Sequence, residues 1–502
     1  MPLADTIKKL NTLIGEVADL RHTASLLEWD ERVNMPPGGA PAHGDMLATV
    51  RRLEHEKLTS DEVGRLLQHA AANLDGLEPD SETVRLITVT ARDYDKATRV
   101  PADFVAREAQ VASAAHQAWR EARAKSDFSV FEPHLQQVVE LKRQYVTFFP
   151  AAGHPYDVLL DDFEPGMKTA EVQAMFDVLR PRQVALVRAL SQRPQIDDRF
   201  LHVAYPEKDM WDFAVEVISE FGFDWTRGRQ DKSAHPFATA FSPDDVRITT
   251  RFDERQPFGL LFGTLHETGH ALYEQGVSAG WNRTLLEGGA SLGIHESQSR
   301  LWENLVGRSL PFWERFFPRL QRRFPDQLGG RTLEQFYRAL NRVQPSLIRV
   351  EADEATYNLH VMLRVEMEIA MLAGEVAIGE LPELWNSKMR EYLGVVPPDA
   401  ASGVLQDMHW SICLVGYFAT YTLGNVISVQ LWDAFQSFDP VRDDRIRRGD
   451  FSSLRDWLQR AIHQHGRRYK PQELVQQVTG GRIDPEPYLH YLERKYRDIY
   501  GL

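Results

Sequence analysis

Apolar residues recur at helical spacing along almost the whole chain, and that rhythm restricts the fold more than any other feature of the sequence. Leu10, Leu13, Ile14, Val17 and Leu20 keep the three- and four-residue intervals of a single helix face. Similar stripes predict helices over 82–98, 102–126, 130–149, 169–192 and 208–221, with turn residues between them. Thr59 and Glu62 in TSDE form a capping-box signature ahead of Val63, Leu66 and Leu67, and so mark a helix start. MPPGG at 35–39 reads as a loop. The rhythm breaks once, over 236–254. There PFATAF, the turn SPDD and VRITTRF set Val246, Ile248, Thr250 and Phe252 against Arg247, Thr249 and Arg251, which predicts a β-hairpin with one polar face. Helical patterning resumes near Phe258 and continues to the end. The expected fold is mainly α-helical, with one small antiparallel β-sheet directly before the helix that begins there.

Composition narrows the function classes. A formal charge of −14 repels phosphate and anionic lipid, which argues against nucleic-acid and membrane-surface partners. The single cysteine, Cys413, allows no internal disulfide and no multi-cysteine metal cluster, so any metal must rest on histidines and carboxylates. The start, MPLADTIKKLNTL, lacks the apolar core of a secretory signal, and with the cysteine usage it points to the cytoplasm. From His409 to Trp432 no Asp, Glu, Lys or Arg occurs. Ser411, Thr420, Thr422, Asn425, Ser428 and Gln430 interrupt that stretch, which is therefore read as a helix buried in a soluble core and not as a membrane span. The 502 residues are expected to form one domain, with a helical part over about 1–230 and a hairpin and metal-site part over about 231–502.

The helix after the hairpin contains LHETGHALYEQG. His266 and His270 are four residues apart, so their imidazoles leave one helix face a turn apart and can reach one ion. Glu267, turned about 100° away, can sit beside an open coordination position and accept a proton from water there. This is the H-E-x-x-H pattern of zinc hydrolases. Two histidines leave a catalytic zinc short of its usual three protein ligands. The metzincin extension fails, because Tyr273 and Gly276 stand where it needs Gly and His. After the segment EGGASLG comes HESQSRLWENLVG, a second helical stripe with Glu296 near its start. Glu296 is the favoured third ligand and the adjacent His295 its rival. Two neutral imidazoles and one carboxylate leave the site with a net charge of +1, which keeps the ion a strong Lewis acid.

Further short motifs accompany the metal pattern. HPF stands at His235, Pro236 and Phe237, DVRIT at Asp245 to Thr249, HESQ at 295–298, IRVEAD at Ile348 to Asp353, and GVLQDMHW at Gly403 to Trp410. In this order they resemble the thermostable carboxypeptidase Taq family of metallocarboxypeptidases, over essentially the whole chain. LLEWDERVNMP and GYFATYTLGN look familial too, although Ala419 stands where a proline is expected. The resemblance implies a mainly helical, dimeric metallopeptidase fold with a deep substrate groove, related to the oligopeptidases and angiotensin-converting enzyme. It implies removal of C-terminal residues one at a time from peptides, with broad specificity that spares proline, by metal-activated water. One divalent metal per chain is implied, zinc first and cobalt as an alternative.

The same chemistry asks for an oxyanion donor beyond the metal. His409, Tyr417 and Tyr421 are the candidates, and the twelve-residue spacing of His409 and Tyr421 matches the His and Tyr pair of related oligopeptidases. A carboxypeptidase must also hold a free α-carboxylate, for which an arginine fork is suited. Arg349, expected in a helical setting beside Asp353, is the first choice; Arg247 on the polar hairpin face is the second, and His235 of HPF joins them as a substrate-binding candidate. The hairpin edge could also accept an extended peptide as a further strand.

Overall fold

The computed structural model describes residues 2–150 and 153–502. Helices dominate it, and the expected ones lie where their stripes place them: Glu82–Arg99, Ala102–Lys125, Glu132–Thr147, Thr169–Ser191 and Glu207–Phe221. One cap falls a residue later than the capping-box signature suggests. The preceding helix runs on to Leu58 and Thr59 closes it, its hydroxyl donating to the His55 carbonyl. Ser60 then accepts from the Val63 amide and opens the helix Asp61–Ala71.

The chain divides into two compact units, each assembled from three segments. The first comprises Met1–Thr98, Asp198–Tyr337 and Leu431–Gly480. Its N-terminal helices close around Leu10, Ile14, Val17, Leu58, Val63, Leu66, Leu67 and Ile87. It also holds the sheet, formed by β1 (Gly228–Lys232), β2 (Ala238–Ser242) and β3 (Asp245–Thr250) in the order β1-β3-β2. β2 and β3 make the expected antiparallel hairpin, but β1 pairs in parallel with β3, so the sheet is mixed and not purely antiparallel. β1 reads GRQDK, with no apolar alternation to announce it. β3 is thus the central strand, and an open edge is left only to its neighbours.

β3 turns Val246 and Ile248 into the core, and its Thr250 ties the sheet to the helix Phe258–Gly276. Thr250 donates to the Leu260 carbonyl, and Thr264 donates to the Thr250 hydroxyl at 3.2 Å. That helix carries H-E-x-x-H. Leu260, Leu261, Leu265, Ala271 and Leu272 are buried around it, as a helix apolar on most sides requires. Gly288 and Gly289 follow in a loop, and Ser291 caps the second ligand helix, Leu292–Arg300, by accepting from the Ile294 amide at 3.0 Å. This helix widens directly into a π-helical turn over Leu301–Val306.

The second unit comprises Arg99–Asp197, Arg338–Gln430 and Gly481–Leu502. Its central helix, Tyr357–Ala373, is buried on nearly all sides, including Asn358, His360, Arg364 and Glu368. The charge-free stretch begins as a 3-10 turn at His409–Ile412 and continues as the buried helix Ala419–Phe438. Among the described residues no helix is long and apolar enough to cross a membrane.

Candidate active site

The four-residue spacing of His266 and His270 does what helix geometry requires. Both rings leave one face, with centroids 5.0 Å apart. Gly269, between them, brings the second ligand helix close, since a Cβ there would lie 2.5 Å from the Gln298 carbonyl oxygen and from Ser299 Cα. That approach delivers Glu296. Its Oε2 lies 3.5 Å from His266 Nε2 and 3.5 Å from His270 Nε2. An ion bonded tetrahedrally at about 2.1 Å separates its donor atoms by about 3.4 Å, and both distances from Glu296 Oε2 match that spacing. The ligand atoms of all three lie within 4.8 Å of one another. Both histidines keep about a fifth of their side-chain surface exposed.

Each donor is held by a further partner. His266 Nδ1 lies 2.9 Å from Glu303 Oε2, and Arg300 donates to Glu296 at 2.7 Å and to Glu303 at 3.3 Å. Ser299 donates to Glu296 Oε2 at 3.1 Å. His295, the rival ligand, points elsewhere: its Nδ1 meets His270 Nδ1 at 2.7 Å and its Nε2 meets Glu274 at 2.6 Å. Burial works against ionised Glu296 and Glu303, but Arg300 and the histidines outweigh it and hold both carboxyls well below the usual range. Burial also opposes a charge on His266, yet Glu296 and Glu303 prevail and raise it to about 9. Burial pushes His270 down to about 3. Glu267 takes no part in the donor cluster. It is 6% exposed, and burial raises it to about 7, assisted by Glu296 and Glu303 and opposed by His266.

Glu303, Arg300 and Glu274 escaped the sequence reading. One signal was available for the first: Glu303 stands seven residues after Glu296, a spacing that an unbroken α-helix would put on one face, with Arg300 between them.

The family model for carboxypeptidase Taq (M32) metallopeptidases matches residues 9–496. The chain belongs to that family. It is 42% identical to thermostable carboxypeptidase 1 of Thermus thermophilus over 496 residues, which cover 97% of each protein. It is 36% identical to carboxypeptidase 1 of Bacillus subtilis, with 99% of each covered. The crystal structure of the M32 carboxypeptidase of Deinococcus radiodurans R1 superposes with a TM-score of 0.96 at 40% identity, covering 99% of this chain and 100% of that one. As an M32 metallocarboxypeptidase the chain is a peptide hydrolase, and His266, His270 and Glu296 are its candidate metal site.

The remaining candidates fall into separate clusters. In the second unit of this M32 chain His409 Nε2 lies 3.2 Å from the Tyr421 hydroxyl, and Tyr417 stacks edge-on to Tyr421 at 5.4 Å. Arg349 lies in a 3-10 turn rather than a longer helix. It donates to Asp407 at 2.8 Å and to the Tyr357 hydroxyl at 2.8 Å, and its guanidinium lies 4.7 Å from the Tyr421 ring centre. Asp407 also takes the buried Arg364 at 2.6 Å. Burial opposes the charge of Asp407, but the two arginines keep it ionised well below the usual range. Burial pushes His409 down to about 3, so its ring is neutral. In the first unit Arg247 donates to Asp245 at 2.8 Å and lies over the Trp29 ring at 4.4 Å. His235 is exposed just before β2, where its carbonyl accepts from Ser233 at 2.7 Å.

Proposed function

We propose that this M32 carboxypeptidase releases C-terminal amino acids one at a time from unblocked peptides, with broad side-chain tolerance and poor action before proline. The observation that carries the reading is the convergence of two imidazoles and one carboxylate on a common point, with a buried carboxyl, Glu267, left out of the cluster. Zinc is the proposed ion, with cobalt as an alternative, and when bound it supplies a Lewis acid for a water molecule and the scissile carbonyl. Glu267 accepts the water's proton and returns it to the leaving amine. Its burial favours this, because a carboxyl raised to about 7 holds a proton far more readily than an exposed one.

His409 and Tyr421 are proposed as donors to the oxyanion, with Tyr417 as the alternative hydroxyl. A neutral His409 can donate through one nitrogen, and its contact with Tyr421 links the two groups. Arg349 is proposed to receive the substrate's α-carboxylate, supported by its buried fork held at a fixed angle by Asp407 and Tyr357. Arg247 is the second choice and His235 a further contact to the peptide. The family match spans both compact units, which supports reading residues 1–502 as one catalytic domain. A homodimer in the cytoplasm is proposed with it, and light scattering at working concentration checks the dimer.

A matched pair of peptides tests the reading, one with a free and one with an amidated C-terminus. The free peptide should yield a ladder of single-residue losses by mass spectrometry while the amide is left nearly intact. Arg349→Met should erase that preference without changing the bound metal. Equal turnover of the two peptides by the unaltered enzyme would reject C-terminal recognition.

A further inference from the structure

The two metal-binding histidines are held in different ways, and the difference assigns a task to His295. For an ion to bind at Nε2, each ring must carry its proton on Nδ1 and donate it. His266 donates directly to a carboxylate, Glu303 Oε2, at 2.9 Å. His270 meets another imidazole, with 2.7 Å between the two Nδ1 atoms. A single proton lies between those nitrogens. If His270 supplies it, His295 must accept at Nδ1 and carry its own proton on Nε2, where Glu274 Oε1 stands 2.6 Å away. The directions therefore agree from end to end: Glu274 accepts from His295, and His295 accepts from His270.

We infer that His295 and Glu274 form a two-membered positioning relay that fixes the tautomer and ring angle of His270, and so tunes the affinity for the metal. His295 matters in this way only if His266, His270 and Glu296 hold the ion. The surroundings hold the ring in place for the task. Its centroid lies 4.8 Å from that of His270 and 4.9 Å from that of Tyr273. Gly289 borders its other edge, where a Cβ would come within 2.7 Å of His295 Cδ2. Glu274 sits one turn beyond His270 on the same helix, so the relay begins and ends on the element that bears the two histidines. The interposed imidazole passes on the Glu274 charge only through polarisation, whereas Glu303 places its charge directly on His266. The two ligands thus receive unequal support, and His270 is the one that can be weakened without removing a charge from its first partner.

The test measures zinc affinity of full-length protein, stripped of metal and reloaded in competition with a chromophoric chelator. It also records the visible spectrum with cobalt and the melting temperature of the stripped protein. Glu274→Gln keeps an acceptor for His295 but removes the charge. His295→Asn keeps an oxygen near the Nδ1 position but loses the reach to Glu274. His295→Leu removes both contacts. Affinity should fall roughly 10-fold in the first two and about 100-fold in the third, with altered cobalt bands and stripped melting temperatures within about 2 °C of the parent. Unchanged zinc affinity in both His295→Leu and Glu274→Gln overturns the relay. So does a loss that follows the melting temperature of the stripped protein across the three variants, because packing alone would then account for it. Should His295→Leu fail to fold, the partly exposed Glu274→Gln decides. A parent protein that takes up neither zinc nor cobalt rejects the metal site itself, and that outcome is distinct from a parent that binds normally beside unaffected variants.

Discussion

Glu267 and His463 show how burial gives a single side chain its use. Glu267 is turned away from the ligand pair by one residue of helix and is almost completely enclosed. Glu267→Gln keeps its shape and leaves the three donors untouched. Metal content and melting temperature should therefore stay at parental values while kcat falls by about 10³-fold or more; persistence of hydrolysis would remove this residue from the chemistry. His463 lies behind the ligand helix, stacked on Tyr273 at 5.0 Å and bonded to Gln298 at 2.9 Å. Burial, aided by the neighbouring His295, pushes it down to about 3 from an ordinary 6.5. The unfolded chain thus binds a proton that the folded chain refuses, so the stability this ring contributes is complete above pH 6.5 and is lost as pH falls toward 3. At pH 7.5 His463→Leu should cost roughly 1–3 kcal/mol by removing the partner of the buried Gln298 side-chain oxygen. The deficit should then shrink by up to about 1.4 kcal/mol per pH unit below 6.5. Denaturant titrations of parent and variant at several pH values would show it, and a deficit independent of pH would mean that His463 takes up its proton in the fold as readily as in the unfolded chain. The ligands themselves were legible because each rests on spacing along one helix or the start of the next. Glu274 was not, because its importance lies in a contact with a side chain 21 residues away, and Arg300, four residues after Glu296, reads from spacing alone as an ordinary intrahelical ion pair.

At the scale of elements, the long helices were readable because the apolar stripe is a property of the helix itself. Thr59 and β1 mark the limit. Thr59 lies between two helices, and which of them it serves depends on where the first stops. β1 has a polar sequence and becomes a strand because β3 offers it a free edge, in the register Gly228↔Val246 to Lys232↔Thr250. The π-helical turn at Leu301–Val306 is likewise invisible to a 3.6-residue pattern, and it carries Glu303 to His266. Gly269 is the point where element packing determines the site. Replacing a helical glycine by alanine ordinarily stabilises by about 0.5–1 kcal/mol. Here the added methyl would meet two backbone atoms of the second ligand helix at 2.5 Å, and backbone cannot rotate aside. Gly269→Ala should therefore destabilise by about 1–3 kcal/mol and lower zinc occupancy, because Glu296 is pushed away from the histidines. A calorimetric scan with metal analysis of the same sample measures both, and a variant with raised melting temperature and full metal would contradict the close approach.

For the whole molecule, the question is whether the ion builds the fold or only completes a site that the fold has built. Each compact unit has its own buried apolar interior, and the ligands are held by protein partners: Glu303 for His266, His295 for His270, Arg300 and Ser299 for Glu296. Removing a cation leaves Glu296 still compensated by Arg300, so no buried charge is stranded. An ion that binds only the folded state should add stability by mass action, about 2.7 kcal/mol at a hundredfold excess over its dissociation constant, without being required for folding. This contrasts with small domains that unfold when their structural zinc is withdrawn. Chelation should abolish peptide hydrolysis, leave the far-ultraviolet circular dichroism unchanged and lower the melting temperature by only a few degrees. Because every metal ligand and its immediate partners belong to the first unit, faster amide exchange on chelation should be confined to the segments Phe258–Gly276 and Leu292–Val306. The buried helix Tyr357–Ala373 should exchange at the same rate with and without metal. Loss of helical signal on chelation, or exchange that accelerates equally along that central helix, would show instead that the cation organises the fold as well as the chemistry.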